Sequence, residues 1–152
     1  KSLRERLEAL GATTFIKTTG GKGLHIVVPV TGPKSKPPDW DTAKAFTQSI
    51  AQAMAKDEPK RFVATMSKAK RHGRIFIDYL RNGRSATAVA PWSPRTRVGA
   101  TISYPIAWPA VTRRLDPKAF NMGKVKALLA KPDPWTDFDR AAVSLADLAK
   151  KR

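Results

Sequence analysis

A chain of 152 residues, 41% of them hydrophobic, is long enough for one compact domain and too apolar for global disorder. The absence of cysteine excludes disulfides and thiolate metal sites. Its 29 Lys and Arg against 12 Asp and Glu give a formal net charge of +17, a field that attracts polyanions and favours salt-dependent contact with nucleic-acid phosphates. No apolar run approaches a membrane span and no signal-peptide pattern opens the chain, so no membrane partner and a bacterial-type cytoplasmic location are expected. The first residue is Lys1 and the next nine read directly as helix, which points to a segment of a longer protein.

In chain order, Leu3, Leu7 and Leu10 share one helical face, and Gly11 follows as a C-terminal cap. Thr13 to Thr18 reads as a strand, Gly20 to Gly23 as a glycine-rich turn, and Leu24 to Val30 as a second strand. Weak alternation in LHIVVPV predicts a strand buried on both faces or near the sheet centre. Thr31 to Pro38 is a loop, after which Asp39 or Asp41 caps a helix to about Lys56, with Phe46, Ile50, Ala53 and Met54 inward. A short stretch around Phe62 and Val63 leads into the basic run Lys68 to Arg74. Arg74 to Leu80 has strand propensity and carries Asp78, and Ala86 to Ala90 predicts a further strand before the loop PWSPRTR. Trp108 to Arg114 is a helix candidate, and the last helix is expected over Arg140 to Lys150 with Ala141, Leu145 and Leu148 inward. The pattern is α+β, with a mixed or antiparallel sheet flanked by helices.

Two segments carry candidate chemistry. In KTTGGKGLH, Lys17 to His25, glycines allow close approach of the backbone to a phosphate and expose its N–H groups. Thr18 or Thr19 offers a hydroxyl, Lys22 a full charge and His25 a ring N–H. The G-x-x-x-x-G-K-[ST] spacing of a P-loop is absent, and the same residues also describe an ordinary hairpin turn. The second segment surrounds Asp78, the single acid among twelve Lys and Arg between Pro59 and Leu115. A carboxylate inside an apolar strand must either pair with an arginine (Arg71, Arg74 or Arg81) or bind a cation, and a cation site needs further acids.

KTTGGKGLH followed by RIFIDYLRNGRSATAVAPWSPR resembles the polymerase domain of bacterial ligase D, in the archaeo-eukaryotic primase superfamily. That family shows K-T-S-G-G-K-G-L-H, then D-Y-L-R-N, then A-T-A-V-A-P-Y-S-x-R; the tail, with Trp108, LDPKAF and DPW, is also similar. The resemblance covers almost the whole chain and implies the C-terminal portion, residues 1–152, of a primase-polymerase catalytic core. It implies a metal-binding catalytic role for Asp78, and nucleotide-phosphate contacts for Thr19 (usually serine in the family), Lys22, His25 and Arg71. Arg81 and Arg95 match basic positions near the active centre, and Trp92 replaces the commoner tyrosine. The implied reaction is transfer of NMP or dNMP from NTP or dNTP to the 3′-hydroxyl of a DNA end, with two Mn²⁺ or Mg²⁺ ions, during bacterial non-homologous end joining beside a ligase module and Ku. The family's D-x-D pair has no match before Thr19; Asp39-Trp40-Asp41 follows the histidine and is expected to be a helix cap. That departure keeps an alternative open, a non-catalytic basic DNA-binding remnant of the same fold.

Overall fold

The computed structural model describes residues 1–151. In chain order the regular elements are α1 (Ser2–Ala9), β1 (Phe15–Thr18), β2 (Leu24–Val27), β3 (Val30–Thr31), α2 (Trp40–Asp57), β4 (Phe62–Val63), β5 (Ile75–Phe76), β6 (Pro105–Ile106), α3 (Val125–Leu129), β7 (Val143–Ser144) and α4 (Leu145–Lys150), with single-turn 3₁₀ segments between them. This is an α+β fold, as the sequence pattern predicts. The chain forms two compact units, one from Lys1–Ala12, Val30–Ala88 and the segment beginning at Val143, the other from Thr13–Pro29 and Val89–Ala142. No helix of the described residues is long and apolar enough to cross a membrane.

The first unit is built on α2, whose Phe46, Ile50, Ala51 and Met54 are buried. Spacing of three to four residues puts these on one helical face; Ala51 is fully buried, whereas the expected Ala53 is only half-buried. Asp39 is the N-cap: its carboxylate accepts the Thr42 N–H and the Thr42 hydroxyl, both at 2.7 Å. Around α2 lie buried Leu7 of α1, Phe62 and Val63 of β4, and Leu145 and Leu148 of α4. An Arg6–Asp57 ion pair ties α1 to the end of α2. Two parallel pairs, β3 with β7 and β4 with β5, complete the unit.

The second unit is organised by an antiparallel sheet in the order β2-β1-β6. All four residues of β1 are buried. Ile16, Ile102, Tyr104, Ile106 and Leu128 form the core, and Tyr104 stacks on Phe120 at 4.8 Å. Two indoles serve as anchors: Trp108 Nε1 donates to Thr14 O at 2.8 Å and Trp135 Nε1 to Ile16 O at 3.1 Å.

Several predicted boundaries differ from those observed. The strand expected over Leu24 to Val30 is divided into β2 and β3, with Pro29, which has no N–H to donate to a ladder, between them. β2 is an edge strand and β1 the central one, the reverse of what LHIVVPV suggests. The strand expected over Arg74 to Leu80 is only Ile75–Phe76. Ile77 N–H still donates to Val63 O at 2.9 Å, but Asp78 then accepts the Leu80 N–H at 3.0 Å and turns the chain into a 3₁₀ turn at Leu80–Asn82. Ala86 to Ala90 forms no strand. Beyond Trp108–Ala110 the expected helix stops. The last helix starts at Leu145, because Ser144 both pairs with β3 and caps it through the Asp147 N–H.

Candidate phosphate turn and acidic site

β1 and β2 pair in the register Lys17↔His25 and Thr18↔Leu24, which makes residues 19–23 the connecting loop. The Thr19 N–H and hydroxyl both donate to Gly23 O, at 3.2 and 3.0 Å, and the Gly21 N–H reaches Thr19 Oγ1 at 3.3 Å. The Thr19 side chain therefore closes the loop itself, and contact with a phosphate would require its hydroxyl to turn. Gly20 has φ +65, a backbone state open to glycine, and a Cβ there would stand 2.5 Å from Arg95 Cγ. Lys22 is exposed and makes no hydrogen bond or ion pair among the described residues. His25 is half-buried on β2. Arg95 Nη1 lies 3.4 Å from Thr19 O as donor, and Arg97 Nη1 would lie 3.5 Å from a Cβ on Gly21. Three cations, Lys22, Arg95 and Arg97, thus belong to the turn or contact it.

Next to the turn, β1 carries a lysine that is only 3% exposed. Lys17 Nζ donates to Val89 O and to Ser103 Oγ, each at 2.7 Å, and no carboxylate pairs with it among the described residues. Burial first, and the charge of Arg95 second, lower its pKa from 10.5 to about 8.

In the first unit, Asp78 follows β5 and is exposed, so it is not the buried strand carboxylate that its apolar neighbours suggest. Its Oδ1 accepts the Leu80 N–H, and its Oδ2 lies 3.8 Å from Arg81 Nε. Both side chains are solvent-exposed, so that ion pair contributes at most about 1 kcal/mol. Arg81 Nη1 also donates to Thr87 O at 3.2 Å. Arg71 donates to Thr65 O at 3.3 Å and Met66 O at 2.7 Å, with its guanidinium 4.0 Å over the Phe76 ring. As a divalent-cation site the donor set is incomplete within these residues. No group of three or more His, Cys, Asp or Glu lies together among the described residues.

Thr19, Lys22, His25 and Arg95 thus fall in the second unit, and Arg71, Asp78 and Arg81 in the first. Sequence reasoning overlooked Lys17, Arg97, Thr101 and Ser103. For Lys17 there was a signal, a cation amid apolar and β-branched residues in a short strand. Nothing local marks Thr101 or Ser103.

Residues 1–135 match the family model described as LigD, primase-polymerase domain. The chain is 38% identical over 135 residues to the multifunctional non-homologous end joining protein LigD of Pseudomonas aeruginosa, a match covering 87% of this chain and 16% of that protein. It is 36% identical over 108 residues to the corresponding DNA repair protein of Mycobacterium tuberculosis, covering 71% and 14%. Among solved structures, the polymerase domain from Mycobacterium tuberculosis ligase D in complex with DNA aligns with a TM-score of 0.74 at 27% identity, over 91% of this chain and 47% of that one. The chain therefore spans about half of the solved domain and a small part of the curated relatives.

Proposed function

This chain belongs to the LigD primase-polymerase domain family, and on that premise we propose that it carries part of a nucleotidyl-transfer site used in DNA repair by non-homologous end joining. The observation that supports this most is the loop at residues 19–23, where glycine backbone and a Lys22 with no partner among the described residues are joined by the guanidinium groups of Arg95 and Arg97 lying against the turn. Such a turn suits a polyphosphate, through charge-assisted bonds and backbone N–H groups.

In the proposed reaction the 3′-hydroxyl of a DNA end attacks the α-phosphorus of an NTP or dNTP. A new P–O bond forms, the bond to the bridging oxygen of the β-phosphate breaks, pyrophosphate leaves and the hydroxyl proton passes to solvent. Lys22 and Arg95 neutralise triphosphate charge, His25 donates a ring N–H to a phosphate oxygen, Thr19 contributes its hydroxyl once turned from Gly23 O, and Arg71 and Arg81 add positive charge toward phosphates. Asp78 offers one oxygen ligand to a divalent cation, Mg²⁺ or Mn²⁺. Its exposure and the weakness of its ion pair leave it available for that role. The relative solved with DNA, together with the net charge of +17, supports DNA as a partner. A ligase module and Ku are proposed as further partners in the parent system.

The test is nucleotide addition to a labelled recessed DNA end by the complete polymerase domain. Asp78→Asn is expected to abolish addition and Lys22→Ala to raise KM for the nucleotide. Full activity in Asp78→Asn would remove the catalytic assignment and leave a DNA-binding role.

A further inference from the structure

Three successive carbonyls enter the turn, and each accepts a hydrogen bond from a side chain of residues 95–103. Ser103 Oγ donates to Thr18 O at 2.8 Å, Arg95 Nη1 to Thr19 O at 3.4 Å, and Thr101 Oγ1 to Gly20 O at 2.6 Å. The direction of the first bond is set from behind. Ser103 Oγ accepts from Lys17 Nζ at 2.7 Å, which leaves its own proton for Thr18 O. Thr18 Oγ1 in turn donates to Ile102 O at 3.1 Å and accepts the Tyr104 N–H at 2.9 Å. These hydroxyls are shielded from water: Thr18 and Ser103 are 0% exposed and Thr101 6%.

A trans peptide points its N–H opposite to its C=O. Holding the carbonyls of Thr18, Thr19 and Gly20 on residues 95–103 therefore sends the N–H groups of Thr19, Gly20 and Gly21 the other way. The Thr19 N–H is taken by Gly23 O and the Gly21 N–H by Thr19 Oγ1, while that of Gly20 has no acceptor among the described residues. Lys22 and Gly23 likewise have N–H groups without an acceptor there. The Ser103 and Thr101 hydroxyls thus fix the two peptides on either side of the one that carries the free Gly20 N–H, whose own carbonyl Arg95 holds, and the loop keeps the N–H groups of Gly20, Lys22 and Gly23 for an anion.

We propose that Thr101 and Ser103 are positioning residues for the phosphate-binding turn, their buried hydroxyls fixing the backbone at residues 18–20 in the orientation that receives a nucleotide triphosphate. The proposal rests on the phosphate reading of the turn given above. Neither residue touches the phosphate; each acts through a carbonyl of the loop.

The experiment titrates the chain with inorganic triphosphate, following amide NMR shifts of Gly20, Gly21, Lys22 and Gly23. Near-ultraviolet circular dichroism checks the fold of every variant. In the parent, shifts should concentrate in this loop. Thr101→Val keeps the shape and removes the donor, and should weaken binding about tenfold, the value of one hydrogen bond; Thr101→Ser should restore it. Ser103→Ala should act in the same direction, and it supplies the test if Thr101→Val does not fold. Binding of a short DNA duplex, which reads net charge, should be unchanged in all three. Parent-like triphosphate affinity in folded Thr101→Val or Ser103→Ala would overturn the positioning role alone. Absence of loop shifts in the parent would overturn the phosphate reading and this inference together.

Discussion

Replacing Gly20 by alanine places two separable costs on the same residue. Its φ of +65 lies where a Cβ is disfavoured by about 1–2 kcal/mol. The added methyl also stands 2.5 Å from Arg95 Cγ, an inner methylene rather than a mobile tip, with Ile102 C and Thr101 O at 3.4 Å limiting retreat. Arg95 must change rotamer and release Thr19 O, and forced repacking of this kind costs about 1–3 kcal/mol. The sum is about 2–5 kcal/mol. Gly99→Ala is the internal reference: its φ is +86 in the same unit, and a Cβ there meets no atom within 4 Å. It should lose only the conformational part, and the unfolded-state effect of Gly→Ala is common to both. For a chain of this size each kcal/mol moves Tm by about 2–4 °C, so Gly20→Ala is expected to melt about 4–20 °C below the parent and Gly99→Ala about 2–8 °C below, with Gly20→Ala the lower of the two. Tryptophan fluorescence is the suitable probe, since Trp92, Trp108 and Trp135, three of the four tryptophans, lie in the unit that contains Gly20. Equal destabilisation by the two substitutions would refute the steric argument and the close approach of Arg95 to the turn.

Other perturbations test the remaining assignments. The folded pKa of Lys17, about 8, lies below its ordinary 10.5, so between those values the unfolded chain holds a proton that the folded chain lacks. Stability should therefore rise as pH increases from 8 toward 10, by up to about 3 kcal/mol, and Lys17→Met should flatten that rise in urea titrations; an unchanged slope would remove the buried cation from the account. Above pH 10 the Tyr104 phenol, held up by burial and then by Asp133, acts in the opposite direction, which sets the upper limit of the measurement. Asp39 is held below its ordinary 3.8 by the Thr42 hydroxyl and N–H. Its capping contribution should be complete above pH 4 and disappear as pH falls through the lower folded value, so the difference in helical melting between parent and Asp39→Ala should close on acidification. Asp78→Asn should change the unfolding free energy by no more than about 1 kcal/mol; a larger loss in a denaturant titration would mark Asp78 as structural.

The elements legible in the sequence are those whose determinants lie within a few residues of one another. Asp39 and Thr42 are three positions apart, so the start of α2 is written locally, as is its buried face of Phe46, Ile50 and Met54. The glycine turn is legible for the same reason: φ +65 at Gly20 is a backbone requirement that the residue type announces. Strands depend on partners elsewhere in the chain. LHIVVPV is apolar enough for a sheet centre, yet β1 takes that place because β6, some ninety residues later, pairs on its other side. Residues Ala86 to Ala90 have strand composition and find no ladder. Asp78 looked buried because its neighbours are apolar, but its own acceptance of the Leu80 N–H ends the strand and leaves it in solvent. The supports of the turn are least visible of all. The Thr101 and Ser103 hydroxyls reach Gly20 O and Thr18 O across sequence separations of 81 and 85. A hydroxyl in a short polar stretch carries no mark of the distant carbonyl it will meet; only the folded chain brings donor and acceptor within 3 Å and removes the water that would otherwise satisfy both.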